Sequence, residues 1–430
     1  MTTRGDRHNH LSSGPHAQMD PTTATAVIPR IPQDIIDDIL SHLAASKDSK
    51  SLTACALVSK SWVQSCRRHL FRYISIAAWS EDGWIKTFPV PEDSPVRHAR
   101  DLEIRIGDDS SAPGKFFEYL PWFTNLDSMT LSGHWGSPLL RGPSYWRLPQ
   151  SITSLAINTN AVTLVNIRDI MVQLPNLDDL SLSVGGSLAP VEGNVLPGIG
   201  MVLKGRFSGR LVLCGGYVDK HAINMLLEIP SGLRFTEMHI SCSPSRLHLA
   251  ARLVEACGKT LVKLSRVDAH HGKSHPFSLS GLFLYESSTL TPFPDPDRPE
   301  TSERSFNLSN FPNLQEVNFD YRAFWTDESL SWIPAALSTL TPATSPRLSV
   351  ITLDLSCSPV GDHPAETLIA NAGVDLRRVA DEVARIEREF KGAVNITVVR
   401  DPVLQVVLDT LNVRFSFAVL TRPRDRVDSF

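Results

Sequence analysis

A chain of 430 residues with 42% hydrophobic content is long enough for two or three domains and a sizeable core. Its 42 basic and 46 acidic residues leave a formal net charge of −4, which argues against a nucleic-acid or anionic-membrane binder. Six scattered cysteines with no C-x-x-C pair argue against a zinc site, and no stretch approaches a membrane span or a signal core.

In chain order, residues 1–27 are rich in Thr, Ser, His and Pro and read as a disordered tail. His8, His10 and His16 belong to that tail and are not assigned as metal ligands. Residues 28–76 read as three short helices and a strand. Pro32 suits a first helical turn, with Asp34 near the positive end. Ile35, Ile36, Ile39, Leu40 and Leu43 then form a stripe, while Asp37 and Asp38 fall opposite. Asp48 or Ser49 caps a second helix carrying Leu52, Cys55, Ala56 and Leu57. Ser59 caps a third, where Trp62, Cys66 and Leu70 recur at four-residue spacing before Arg67, Arg68 and His69 close it. So short a segment cannot bury this much apolar surface within itself. It needs either the rest of the chain or a partner.

The same residues resemble an F-box. Ile31-Pro32-Gln33-Asp34-Ile35 is similar to its opening, and Ile36-Asp37-Asp38-Ile39-Leu40-Ser41-His42-Leu43 to its first helix. Leu57-Val58-Ser59-Lys60-Ser61-Trp62 matches the diagnostic Leu-Val-Ser-Lys-x-Trp pattern, and Arg68-His69-Leu70-Phe71 its usual tail. The resemblance implies docking on the Skp-type adaptor of a cullin-based ubiquitin ligase. The implied adaptor-binding residues are Ile31, Pro32, Ile35, Ile36, Ile39, Leu40, Leu43, Leu57, Val58, Ser59, Trp62, Leu70 and Phe71.

Residues 77–97 form a connecting segment with Trp79, Trp84 and Phe88. From there an apolar-x-x-apolar-x-apolar pattern recurs every ~26 residues, with central positions at 102, 129, 155, 180, 211, 238, 264, 317 and 351. The step from Leu264 to Val317 is about double, which places one divergent unit near Phe277–Tyr285. Helical patterns lie between strands at Val162 to Leu174, His221 to Ile229 and Leu247 to Cys257, and Pro-Asn-Leu recurs before strands at 175–177 and 312–314. A strand, a turn and a helix per unit resemble a leucine-rich repeat. The expected fold is therefore α/β: a three-helix F-box followed by an irregular leucine-rich-repeat-like solenoid over 98–420.

Residues 286–305 are polar and Pro-rich and read as a flexible insertion. A long amphipathic helix over Val374 to Phe390, ended by Gly392, precedes strands at Val394 to Val399 and Val413 to Leu420 and reads as a cap on the open core. Residues 421–430 read as a loose tail.

Catalytic signatures are absent. Gly198-Ile199-Gly200 lacks the third glycine of a dinucleotide fingerprint, and His270-His271 sits in a turn. No catalytic residue, cofactor or metal is expected. In a strand of this kind the repeated apolar residues point inward and those between them face solvent. The outward set includes Asp101, Glu103, Asp179, Glu237, Glu316, Asp320 and Asp354, against Arg105, Arg210 and Lys263, with Val267 as a neutral member. That excess of acids predicts a target segment rich in Lys or Arg. The function expected is that of a substrate-recognition subunit in the cytoplasm or nucleus, with an adaptor, through it a cullin, and an unidentified protein target as partners. An F-box scaffold acting outside a ligase is the alternative.

Overall fold

The computed structural model describes residues 31–46, 48–77, 87–88, 90–92, 94–106, 117–133, 146–159, 164–184, 206–214, 220–229, 232–242, 247–269, 306–323, 331–357, 365–400, 402–411 and 419–421. The N-terminal tail, Trp79, Trp84, the segment around Phe277–Tyr285, the insertion at 286–305, and the tail beyond 421 lie outside them. The chain divides into two compact units, Met1–Cys66 and Arg67–Phe430.

The first unit is helical. Helix α1 spans Gln33–Ala45 with Pro32 at its N-cap. Helix α2, Ser49–Val58, is capped by Asp48, whose carboxylate accepts the Ser51 N–H (3.0 Å) and the Ser51 hydroxyl (2.6 Å). Helix α3 spans Lys60–Leu70, and the Ser59 hydroxyl accepts the Ser61 N–H at 3.3 Å. The Ser65 hydroxyl donates to Asp37 (2.8 Å), tying α3 to α1.

The second unit is α/β, and its described residues form a parallel sheet of twelve strands in chain order. The strands are β1 (Tyr73–Ala77), β2 (Asp101–Ile106), β3 (Ser128–Gly133), β4 (Ser154–Thr159), β5 (Asp179–Val184) and β6 (Arg210–Cys214). They continue with β7 (Glu237–Cys242), β8 (Lys263–Ala269), β9 (Glu316–Ala323), β10 (Val350–Cys357), β11 (Asn395–Arg400) and β12 (Val419–Thr421). Helices α4 (Leu164–Val172), α5 (Lys220–Leu227), α6 (Leu247–Ala256), α7 (Trp332–Ser338), α8 (Ala365–Glu389) and α9 (Pro402–Thr410) lie in the connections.

Period-two alternation explains why one face of each strand is buried. Leu102 and Ile104, Met129 and Leu131, Leu155 and Ile157, Leu180 and Leu182, and Ile351 and Leu353 are all buried. They join the inward faces of the helices in one core. Parallel sheets are usually covered on both faces and read as continuous apolar runs. On β2 and β3 the alternate positions are polar and half-buried or exposed, so their opposite face is open, whereas Ser241 on β7 and Asp320 on β9 are buried.

A repeated backbone contact sets the register at the strand starts. The Arg72 carbonyl accepts the N–H groups of both Arg100 and Asp101, and the Arg100 carbonyl those of Asp127 and Ser128. The same double acceptance recurs along the sheet as far as Gln315, whose carbonyl takes Ser349 and Val350. The Asn of Pro-Asn-Leu adds a side-chain link. Asn176 donates to the Gln150 carbonyl (2.9 Å) and Asn313 to that of Lys259 (2.8 Å), while Asn125, in Thr-Asn-Leu, reaches Arg97 (2.7 Å). Each ties one connection to the preceding one. Replacing Asn176 or Asn313 with Ala should cost about 1 kcal/mol each. A shift of the denaturant midpoint would register it, and an unchanged midpoint would show that the links are ornamental.

Several boundaries differ from the sequence reading. The division falls at Cys66/Arg67 rather than after Ile76, because β1 pairs in parallel with β2 and belongs to the sheet. In the sheet, β9 follows β8 directly. Lys263 pairs with Glu316, so the double step between Leu264 and Val317 is one unit with a long connection. Strand β8 carries an extra residue: Met238 pairs with Leu264, but Ile240 pairs with Val267. That slip puts Val267 in register with the inward row of Ile240 and Phe319, not with the outward one. Helix α8 starts at Ala365, well before Val374, and β11 and β12 extend the same sheet.

Candidate functional site

Two surfaces carry the sequence expectations. On the helical unit, the apolar stripe of α1 divides. Ile36 and Leu40, four residues apart, are buried. They serve the packing of the helices and offer no surface, which removes them from the contact set drawn from the resemblance. Ile31, Ile35 and Ile39, also four apart, are 52%, 47% and 43% exposed. The two rows differ because adjacent residues on a helix are turned by about 100°. At the end of α2, Leu57 and Val58 are 85% and 68% exposed. Pro32 is exposed, and Leu43, Ser59, Trp62, Leu70 and Phe71 are half-buried. Scattered exposed leucines are ordinary, but five large aliphatic side chains are exposed on this small unit.

The second surface is the open face of the sheet. At its first strands a network centres on Glu103. Its carboxylate accepts from the Tyr73 hydroxyl, from Ser75 (3.1 Å), and from Arg105 through Nε (2.9 Å) and Nη2 (3.1 Å). Strand pairing aligns Ser75 with Glu103 and Glu103 with Thr130, which places these groups side by side. The Arg105 hydrogen bond, with help from Tyr73 and Ser75, holds the Glu103 carboxyl at about 2. The hydrogen bond that Tyr73 donates to Glu103 pushes its phenol up.

Because the Glu103 pKa is depressed on folding, its contribution is fully present above the ordinary carboxylate value of 4.5 and is lost as pH falls through about 2. Glu103→Gln should therefore melt below the native chain at about pH 7, and the gap should close as pH drops toward about 2. A gap that does not change with pH would contradict this.

Part of the acidic excess expected of the face is offset by neighbouring bases. Glu103 is saturated, Glu316 pairs with Lys263 at 3.1 Å, and Asp101 lies 3.8 Å from Arg72. Asp179 accepts the backbone N–H of Arg210 at 2.5 Å. Asp320 is 3% exposed and so is not a contact residue. Glu237 stands between Arg210 and Lys263 in the strand register, and Asp354 beside Asp320. Asp101, Glu103 and Glu316 of the face are thus paired with bases, while Asp320 and Asp354 are adjacent acids. Tyr73, exposed and bound to Glu103, lies outside the expected outward set, which starts at Asp101.

Cys66 and Cys257 are buried and Cys55 and Cys214 half-buried, all four as free thiols, and burial pushes Cys257 up to about 12. Among the described residues, no helix is long and apolar enough to cross a membrane. No protein-family model and no curated protein matches the chain.

Proposed function

We propose that the chain is the substrate-recognition subunit of a cullin-based ubiquitin ligase. In this reading α1–α3 are an F-box that docks on a Skp-type adaptor. The sheet unit is a leucine-rich-repeat-like solenoid whose open face receives the target, and the ubiquitin chemistry belongs to other subunits. The observation that carries the reading is the exposed set Ile31, Ile35, Ile39, Leu57 and Val58, which falls within the residues of the F-box pattern. Anchors of this kind concentrate binding energy when a partner buries them. The parallel strands of the described residues, in chain order and with alternating burial on β2 and β3, support the solenoid part.

Affinity purification of the full chain tests it. Adaptor and cullin should both be recovered, and both should be lost from a chain lacking the exposed aliphatic groups. Recovery of adaptor without cullin would favour a scaffold outside a ligase, and recovery of neither would overturn the proposal.

A further inference from the structure

Within the sheet unit, the end of α3, the turn into β1 and the short 3-10 helix Pro95–His98 converge. The Arg72 carbonyl accepts the Arg100 and Asp101 N–H groups at 2.8 and 2.9 Å, which fixes the α3–β1 turn against the segment entering β2. This brings Arg67, Arg68 and Arg97 near His98, with Arg72 and Arg100 on the two segments joined by that contact. Arg72 and Arg100 are partly answered by Asp101 (3.8 Å) and Asp127 (2.9 Å). Arg97 donates to the Glu92 carbonyl (2.7 Å) and to the His98 imidazole (3.4 Å). Arg67 and Arg68 are exposed and form no ion pair with a described residue. Burial first, then the charges of Arg97, Arg68 and Arg67, hold His98 below its ordinary value, as expected of an imidazole set among cations. A chain of net charge −4 therefore carries a local basic surface.

We propose that this surface binds an acidic peptide segment, a run of Asp and Glu, on a partner protein. Guanidinium groups suit carboxylates because their paired N–H groups match the two oxygens. The arginines are spread over three elements, which fits several carboxylates in a row better than one compact ion. Arg67 and Arg68 lie in the last turn of α3, whose dipole favours their charge. The pI of about 6.4 and the small extent of the patch argue against nucleic acid. The inference does not depend on the adaptor reading, because it uses none of the aliphatic groups of α1 and α2.

The test is fluorescence anisotropy of a labelled octaglutamate peptide titrated with the full chain, with octalysine as control. Octaglutamate should bind and octalysine should not, and binding should weaken between about 50 mM and about 300 mM salt. The double variant Arg67→Glu, Arg68→Glu should lose affinity at least about tenfold, whereas Arg210→Glu on β6 should not. Hydrogen exchange of the native chain, which needs no variant to fold, should slow at 67–72 and 95–100 when the peptide is bound. No binding, equal binding by the double variant, slowing elsewhere only, or displacement by inorganic phosphate at matched charge would each overturn the proposal.

Discussion

Ile35→Asp combined with Leu57→Lys should weaken binding to a Skp-type adaptor at least about a hundredfold, or about 2.7 kcal/mol. Both side chains are exposed, at 47% and 85%, so neither change opens a cavity in the helical unit. Each new charge lies at a helix end that favours it: the introduced aspartate would stand in the first turn of α1 and the introduced lysine in the last turn of α2. The variant should therefore keep its helical signal and melting profile. The loss comes from placing a solvated charge against an apolar partner surface, where it must be desolvated without a counter-ion. Retained binding, measured by calorimetry with the purified adaptor, would show that these groups are bystanders.

Phe319→Ala should destabilise the sheet unit by about 3–5 kcal/mol. Phe319 is fully buried on β9, its ring 5.4 Å from that of Trp332 in an edge-to-face contact. Trp332 also stands 5.9 Å from Phe306. Truncation would leave a void between β9 and α7 that the parallel pairing of β9 with β8 and β10 prevents from closing. Thermal melting would record the loss. A change under about 1 kcal/mol would mean that this part of the core is loosely packed.

What could be read in advance followed from periodicity. The inward residues of nine strands were legible because their alternation has period two and their spacing recurs, and each has its place in the sheet. The caps at Asp48 and Ser59 were legible because a short oxygen-bearing side chain before an apolar run can satisfy the free N–H groups of a helix start. The slip in β8 leaves a trace, since two polar residues, Ser265 and Arg266, separate Leu264 from Val267 where alternation places one, but that break alone does not say how the strand pairs. Only pairing with both neighbours shows the extra residue. The long connection before β9 looks like a missing unit in the sequence, because step length alone cannot separate a divergent strand from an insertion. On the open face, acids could be counted but not their partners. Glu103 and Arg105 are two residues apart on one strand face, a spacing that does announce their ion pair. The Glu316–Lys263 pair joins residues far apart in sequence and depends on the register. In α1 the stripe was visible but its division was not, because which of two adjacent rows turns inward is decided by the positions of α2 and α3.

Hydrogen exchange of the full chain, measured with and without a saturating Skp-type adaptor, tests the docking of the helical unit most directly. Slower exchange is expected at 31–39 and 57–62, where the exposed aliphatic side chains would be covered, with the open sheet face unchanged. Exchange that stays the same in both helical segments, or protection confined to the sheet, would contradict the assignment of α1–α3 as an adaptor-binding F-box.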